Sequence, residues 1–185
     1  TGGKAIGKDC NVVLYNGNIS GSEEVLAIIR LLGEKEQKNL LLVAQKITGE
    51  ALNTLVATYV QNKQAFQFVL ADLVRAGEKA RSDLQDLAVL TGARLFDPEA
   101  GDRLAAISLS DMGSAQRAEA GNETLFVTGG KGSPAALREH INTLQKHLER
   151  LPFDDDQAAE IKMRLGRLSG SSGILKIGAH SQNER

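Results

Sequence analysis

The sequence is poor in aromatic residues and has no surplus of basic ones. Its 185 residues include five Phe, two Tyr and no Trp, and the 22 Lys and Arg are balanced by 23 Asp and Glu. Proteins that bind single-stranded nucleic acids stack the bases on aromatic side chains, and phosphate backbones and anionic membranes attract an excess of cations. We therefore expect neither a nucleic-acid partner nor a membrane partner.

Cysteine and long apolar segments are also scarce. Cys10 is the only cysteine, so the sequence can form neither an intrachain disulfide nor a cysteine-based zinc cluster. A single cysteine is typically a small buried apolar residue, and it is compatible with the reducing cytosol. No apolar run approaches the ~20 residues that cross a bilayer. We expect a cytoplasmic protein of about one ordinary domain.

Apolar runs alternate with amphipathic segments through the first half of the sequence. The predicted strands cover residues 11–16, 39–45 and 66–70, and the predicted helices cover about 21–36, 49–61 and 76–90. Ser20 and Glu23 have the spacing of a capping box at the start of the first helix, and Gly92 is a suitable C-terminal cap for the third. This alternation predicts an α/β fold.

The second half predicts an antiparallel pair of helices. Ser133 followed by Pro134 is typical of a helix start, Pro152 ends that helix, and Asp154 opens the next. Apolar residues recur at helical spacing in both helices, at 137, 141, 144, 148 and 151 in the first and at 158, 161, 165 and 168 in the second. Short strands are predicted at Ser114–Ala118, Glu123–Thr128 and Ile174–Ile177.

Two glycine-rich segments are weak candidates for phosphate binding. Gly2 and the pair Gly7–Lys8 nearly match a P-loop, but Asp9 follows where Ser or Thr would bind magnesium, and no strand precedes them. Residues 129–132 lack the spacing that cradles a phosphate. We expect residues 1–8 and 129–132 to form ordinary loops.

The histidines do not suggest catalysis either. His140 and His147 are seven residues apart on one predicted helix. They are therefore about 10 Å apart along its axis, at ~1.5 Å per residue, which is too far for one metal ion. His180 lies near the end of the sequence. The sequence predicts no catalytic, cofactor or metal site.

Two predicted helices carry more apolar residues than one buried face needs, since a surface helix requires a single stripe about 100° wide. In the first helix Val25, Ile28 and Leu32 form the inward face, and in the second Ala51 and Leu55 do so. The extra apolar rows contain Leu26, Ile29 and Gly33 in the first helix and Leu52, Val56 and Tyr59 in the second.

Two explanations account for the extra rows. Both helices can be buried on two sides, which is the more common arrangement in an arbitrary protein. Alternatively, the rows border a shallow exposed groove between the helices, where an apolar peptide would bind through non-directional burial. Periodicity leaves both explanations open.

Several segments, taken together and in order, resemble the apical domain of GroEL-type (group I) chaperonins. KNLLLVAQKITGEALNTLV at Lys38–Val56 is similar to the strand-turn-helix of that domain. The other matching segments are LQDLAVLTG at Leu84–Gly92, LSDMGSAQRA at Leu109–Ala118, GKGS at Gly130–Ser133, the helical hairpin and LSGSSGILKIGA at Leu168–Ala179. Each motif is weakly specific by itself, but the resemblance covers nearly the whole chain.

The resemblance implies a chaperonin apical-domain-like layered β/α fold with a C-terminal antiparallel helical hairpin. Residues 1–169 would form the apical domain, and residues 170–185 would form the hinge and the start of the return to the intermediate domain. Non-native polypeptides and a GroES-type co-chaperonin would bind an apolar groove between two helices. The residues that align with the family's groove are Leu26, Ile29, Gly33, Leu52, Val56 and Ala57.

The resemblance also implies what this sequence would not contain. In the family, ATP and Mg²⁺ bind another domain of the full-length subunit, and the subunits assemble into a homo-oligomeric ring that assists ATP-dependent protein folding. The chain would therefore bind polypeptide, but it would not be an enzyme and would bind no cofactor.

Two regions depart from the family pattern. The family's apolar APGFGD-type loop is replaced by ADLVRAGEKAR at Ala71–Arg81, and its second hinge glycine is Ser171. The resemblance therefore supports polypeptide binding more strongly than co-chaperonin binding. Two other functions stay open, namely a small-ligand or phosphate-binding α/β domain and an interaction domain with one dedicated partner.

Overall fold

The computed structural model describes residues 4–178, which form seven strands and five α-helices. The strands are β1 (Ala5–Ile19), β2 (Asn39–Ile47), β3 (Gln67–Asp72), β4 (Leu95–Phe96), β5 (Gly113–Ala120), β6 (Thr124–Gly130) and β7 (Ser172–Lys176). The helices are α1 (Ser22–Gly33), α2 (Gly49–Gln61), α3 (Gly77–Thr91), α4 (Pro134–Arg150) and α5 (Asp156–Ser169). The α/β fold and the C-terminal hairpin are as predicted.

All seven strands belong to one mixed sheet with β1 near its centre. The strand order is β3-β2-β1-β5-β6-β7, and the short β4 also pairs with β1. The pairs β1–β2, β2–β3 and β1–β4 are parallel, whereas β1–β5, β5–β6 and β6–β7 are antiparallel. An isolated bridge between Leu73 and Ile177 joins the chain beyond β3 to the chain beyond β7. The two outer strands therefore approach each other at that end.

The sheet separates two apolar cores. Val13 and Tyr15 of β1 lie in the core beneath α1 and α2, whereas Val12 and Leu14 lie in the core against α3, because alternate residues of a strand point to opposite faces. The predicted inward faces of α1 and α2 are confirmed. Their fully buried residues are Val25, Ile28, Leu32, Ala51 and Leu55.

A buried ion cluster attaches the α4–α5 hairpin to α3. Arg164 of α5 donates two hydrogen bonds to Asp86 of α3, at 2.8 and 2.7 Å, and His140 of α4 lies 2.8 Å from the same carboxylate. Burial alone would raise the pKa of Asp86, but the hydrogen bonds from Arg164 and His140 hold it below its ordinary value. The hairpin is therefore anchored by charge as well as by its apolar seam.

A second carboxylate in this cluster has the opposite pKa shift. Asp83 is buried, and its Oδ1 lies 3.4 Å from Nη1 of Arg75, which also pairs with Glu160 of α5. Burial raises the pKa of Asp83 to about 6, although Arg75 and Arg167 act to lower it. At neutral pH the folded protein therefore holds a carboxylate that the burial disfavours.

Strand pairing corrects two of the loop predictions. The prediction of a loop over residues 1–8 is wrong for 5–8, because Ala5–Val12 pair with β5 and extend β1 well beyond the predicted 11–16; residues 1–3 lie outside the described residues. The prediction of a loop at 129–132 is wrong for 129–130, which end β6, where Gly130 pairs with Ala115.

Two predicted helix caps are wrong and two are confirmed. Gly21, not Ser20, precedes α1 without a side-chain cap, because the chain stays extended to Ile19 and the Ser20 carbonyl accepts a bond from Ala51 N. Asp155 rather than Asp154 caps α5, accepting from Gln157 N at 2.7 Å. The confirmed caps are Ser133 at the start of α4 and Gly92, with φ of 77°, at the end of α3.

The segment between β4 and β5 was not predicted. It contains three 3₁₀ turns at Pro98–Ala100, Leu104–Ala106 and Leu109–Asp111. Leu104 and Ile107 from this segment are buried in the core with Ala27 of α1. Such short turns have no amphipathic repeat of their own, so a periodicity analysis does not detect them.

We predict that Arg164→Met will destabilise the protein by about 3–5 kcal/mol, because it leaves Asp86 as an uncompensated buried charge. Urea unfolding at neutral pH measures the loss. The double variant Asp86→Leu/Arg164→Met should recover most of it, since neither charge then remains buried. Arg138→Met, at an exposed position of α4, is the matched control and should change stability by less than about 0.5 kcal/mol. A loss at Arg164 no larger than the loss at Arg138 would contradict the anchoring role.

We also predict a pH-dependent effect of Asp83→Asn. Because the folded pKa of about 6 lies above the ordinary value of 3.8, the stability contributed by protonated Asp83 is complete below about pH 3.8 and is lost as the pH rises through about 6. As the pH rises from 4 to 7, the free energy of unfolding of the variant should therefore increase relative to that of the wild type by about 2–3 kcal/mol. Urea unfolding of both proteins across this range measures the difference, and a pH-independent difference would contradict the burial argument.

Candidate functional site

The outer side of α1 and α2 exposes large apolar side chains. Leu26 of α1 is 51% exposed, and Val56 and Val60 of α2 are 48% and 55% exposed. Ile29 and Leu52 are half-buried and pack against the core beneath the helices. None of the four residues Leu26, Ile29, Leu52 and Val56 is sealed inside the protein.

Burial on two sides accounts for only part of the apolar surface of α1. Ala27 is buried and Leu31 is half-buried, in the same core as Leu104 and Ile107 of the 3₁₀ segment. This burial does not extend to Leu26, the exposed large apolar residue of the helix, or to Gly33, where an added Cβ would contact nothing within 4 Å. The 3₁₀ segment therefore covers α1 at Ala27 and Leu31, whereas Leu26 and Gly33 on the outer side of the helix face solvent.

A cavity of about 540 Å³ lies beside α2. Its lining residues are Leu52, Asn53, Val56, Ala57, Val60 and Gln61 of α2, and Leu70 of β3. None of them is charged. Leu52, Val56 and Val60 are spaced four residues apart and form one row along the helix. We call this space the α2 cavity.

The α2 cavity contains half of the residues that the sequence assigned to the site. Leu52, Val56 and Ala57 line it, whereas its lining includes no residue of α1. Leu26, Ile29 and Gly33 therefore lie on the neighbouring helix rather than in the cavity wall. The N-termini of the two helices are joined by the 3.1 Å bond from Ala51 N to the Ser20 carbonyl.

Sequence analysis missed four lining residues of the α2 cavity. Asn53 is polar, so the apolar pattern gave no signal for it. Val60 follows Val56 by four residues, so the helical spacing was sufficient to find it. Gln61 ends α2, and its polarity gave no signal. Leu70 belongs to β3, and only the folded sheet brings it beside α2.

The glycine-rich segments do not fit a phosphate group. Gly7 and Lys8 lie within β1 and pair with β5, whereas a P-loop needs free backbone N–H groups ahead of a helix. Gly130 and Gly132 pack against the end of α3, where Gly132 N donates to the Leu90 carbonyl at 3.0 Å. Carbonyl oxygens surround this turn and would repel an anion. Neither segment therefore forms a phosphate-binding loop for the ATP that the resemblance assigns to the full-length subunit.

Of the other candidate groups, Cys10 and His140 have structural roles. Cys10 is buried as predicted, and burial raises the pKa of its thiol to about 11. His140 contacts Asp86, His147 is exposed, and His180 lies outside the described residues. Among residues 4–178, no group of three or more His, Cys, Asp or Glu side chains could hold a metal ion.

Within the same residues, none of the helices has the length and apolar character needed to cross a membrane.

Comparison with known proteins identifies the relatives of this chain. No model of a protein family matches it. It is 29% identical over 181 residues to Chaperonin GroEL 1 of Mycobacterium ulcerans, and 31% identical over 180 residues to Chaperonin GroEL 2 of Albidiferax ferrireducens. These matches cover 98% and 97% of the chain. The chain is homologous to the GroEL-type chaperonins.

The homology concerns one part of a chaperonin. The chain spans about a third of the length of these curated relatives, 33% of the first and 32% of the second. Two crystal forms of the chaperonin gp146 from the bacteriophage EL 2 share its fold, each with a TM-score of 0.61 and 16% identity. They cover 98% and 89% of this chain, which corresponds to 36% and 32% of the gp146 chain. The mixed sheet with its helices is therefore a chaperonin-domain fold.

In this chaperonin fold we predict that Gly130 is needed for packing. A Cβ at this position would collide with the Leu90 carbonyl oxygen, so Gly130→Ala should destabilise the protein by about 1–3 kcal/mol. Gly166→Ala is the control, because its Cβ meets nothing within 4 Å inside α5 and should gain about 0.5–1 kcal/mol. Urea unfolding compares the two. If Gly130→Ala is as stable as the wild type, the turn does not pack closely against α3.

Proposed function

We propose that this chain is the apical domain of a GroEL-type chaperonin and that it binds apolar segments of non-native polypeptides on the outer side of α1 and α2. The observation that carries the proposal is the row of exposed apolar side chains beside the uncharged α2 cavity. In this proposal residues 1–169 form the apical domain, and residues 170–185 lead through the hinge toward the intermediate domain.

The chemistry of this surface suits clients of many sequences. Burial of apolar area is non-directional, and an uncharged wall imposes no particular pattern of charge on the client. A fully buried Leu or Phe side chain contributes about 1.5–3 kcal/mol. Two or three such anchors, less the cost of ordering the client, give weak binding at a single site.

Assembly would convert weak sites into effective capture. In a homo-oligomeric ring, several apical domains engaging one client raise its apparent affinity by roughly 10²–10⁴-fold. Release then requires only that the surface be occluded or rotated away. We propose that a GroES-type co-chaperonin occupies the same surface, and that ATP and Mg²⁺ act in a part of the cytoplasmic full-length subunit outside this chain.

The region that departs from the family pattern bears on the co-chaperonin. In Ala71–Arg81 the chain leaves β3, exposes Val74 and enters α3 at Gly77. Arg75, between them, is held by Asp83 and Glu160. Ion pairs thus fix this connection to the body of the domain. The co-chaperonin part of the proposal consequently rests on α1 and α2.

Peptide binding by the 185-residue protein tests the proposal. Leu26→Ser and Val56→Ser should each weaken the binding of several unrelated apolar peptides by about fivefold to tenfold, because each removes an exposed contact of roughly 1 kcal/mol. Fluorescence anisotropy of labelled peptides measures the affinities. Leu52→Glu should weaken binding further by placing a charge in the α2 cavity.

Val74→Ser provides the matched control, since Val74 is 61% exposed and lies outside both helices. It should bind every peptide like the wild type, and the urea midpoints of all three serine variants should agree with the wild type. If Leu26→Ser and Val56→Ser also bind like the wild type, the proposed surface is wrong. If they weaken only one peptide of the panel, the domain serves a single dedicated partner instead.

A further inference from the structure

One face of the antiparallel half of the sheet is not covered by any described helix. Helix α3 contacts β5, β6 and β7 from the other side, where Leu125, Val127 and Leu175 are buried, and helix α5 contacts β7. Helices α1 and α2 cover the strands β1, β2 and β3 instead. The open face is therefore built from β5, β6, β7 and the first part of β1.

An apolar row crosses this open face at its centre. Ile6 of β1 is paired with Glu119 of β5, which is paired with Phe126 of β6, and Phe126 is paired with Ile174 of β7. Residues paired across neighbouring strands project to the same face. Ile6 is 45% exposed, Phe126 is 46% exposed and Ile174 is half-buried.

Cations surround the apolar row. Lys4 and Arg117 both pair with Glu119, at 2.9 and 3.2 Å, so one carboxylate is shared by two cations. Lys8, paired with Arg117 in the register, and Lys176 of β7 are exposed and make no ion pair with any residue of the described chain. The face thus carries four cations and one carboxylate, although the whole chain has a net charge of −1.

We propose that this basic sheet face, the face of β1, β5, β6 and β7 centred on Ile6 and Phe126, binds a segment of another polypeptide whose apolar side chains are flanked by Asp or Glu. The occupant's apolar side chains cover Ile6 and Phe126, and its carboxylates pair with Lys8 and Lys176. Charge complementarity of this kind mainly determines specificity and the rate of association. The basic sheet face is separate from the α2 cavity and does not depend on the proposed client binding.

The same features argue against other occupants. A second copy of this chain would bring two cationic faces together, which is unfavourable. Single-stranded nucleic acid would need several aromatic side chains on which to stack bases, and the centre of this face offers one. An anionic membrane surface attracts clusters of basic residues, but here the cations flank a central apolar row instead of forming a continuous patch.

Anisotropy titrations of the 185-residue protein test the proposal with a labelled peptide in which Leu and Glu alternate. It should bind about tenfold tighter than a peptide in which every Glu is replaced by Lys, and also tighter than one in which every Leu is replaced by Ser. Phe126→Ser and Lys8→Glu should each weaken its binding by about fivefold or more. Phe153→Ser is the matched control, because Phe153 is 92% exposed in the α4–α5 loop, and it should have no effect.

Lysine acetylation of the wild-type protein, with and without the peptide, gives a second readout. The bound peptide should protect Lys8 and Lys176 from acetylation, and because no variant is used, a folding defect cannot affect the result. The proposal is overturned if neither lysine is protected, or if Phe126→Ser and Phe153→Ser behave alike. Phosphatidylserine vesicles or single-stranded DNA that bind more tightly than the peptide, with the same dependence on Phe126, would assign the face to a lipid or a nucleic acid instead. If Val56→Ser abolishes peptide binding and Phe126→Ser does not, this proposal fails while the proposed client surface stands.

Discussion

The two-sided pairing of β1 is the constraint on which the rest of the structure depends. One side of the strand pairs in parallel with β2 and leads into the α/β half, and the other side pairs antiparallel with β5 and leads into the hairpin half. Asn11, buried near the point where both pairings meet, fixes the connection. Its amide donates to the carbonyls of Gln37 and Asn39 at 2.7 and 3.1 Å, and its oxygen accepts from Lys35 at 2.8 Å. The end of α1 is thereby held over the sheet.

This arrangement lets α1 and α2 expose apolar side chains without loss of stability. Their inward residues are fully buried, and each large one contributes about 1.5–3 kcal/mol to folding. The outer residues Leu26, Val56 and Val60 gain little from the folded monomer because about half of each side chain remains in water. Large exposed apolar side chains that line a cavity, as Val56 and Val60 do, are typical of an interaction site. Selection for stability alone does not account for them.

The sequence predicted features that depend on local spacing and missed features that depend on distant contacts. The inward residues of α1 and α2, the Gly92 cap and the helical hairpin all follow from periodicity or from a single residue's conformational preference. By contrast, the first half of β1 has no continuous apolar run, and only its pairing with β5 makes residues 5–8 a strand. Likewise, the bond from Gln157 N selects Asp155 rather than Asp154 as the cap from a run of three aspartates. The site divides in the same way, since spacing finds the row on α2 whereas Leu70 reaches it through the sheet.

The positions of the two helices on the face of the sheet explain why the cavity lies beside α2 and not beside α1. Helix α1 lies between two neighbours, with α2 on one flank and the 3₁₀ segment on the other, so Ala27 is buried and little apolar area is left on that side. Helix α2 covers the end of the sheet, where β3 is the last strand in the order and offers Leu70 as the floor of an open space. A segment docking there meets a helix wall and a strand edge together. A helix packed between two neighbours leaves no such space beside it. The extra apolar row of α2 therefore lines the cavity, whereas that of α1 only adds exposed apolar area next to it.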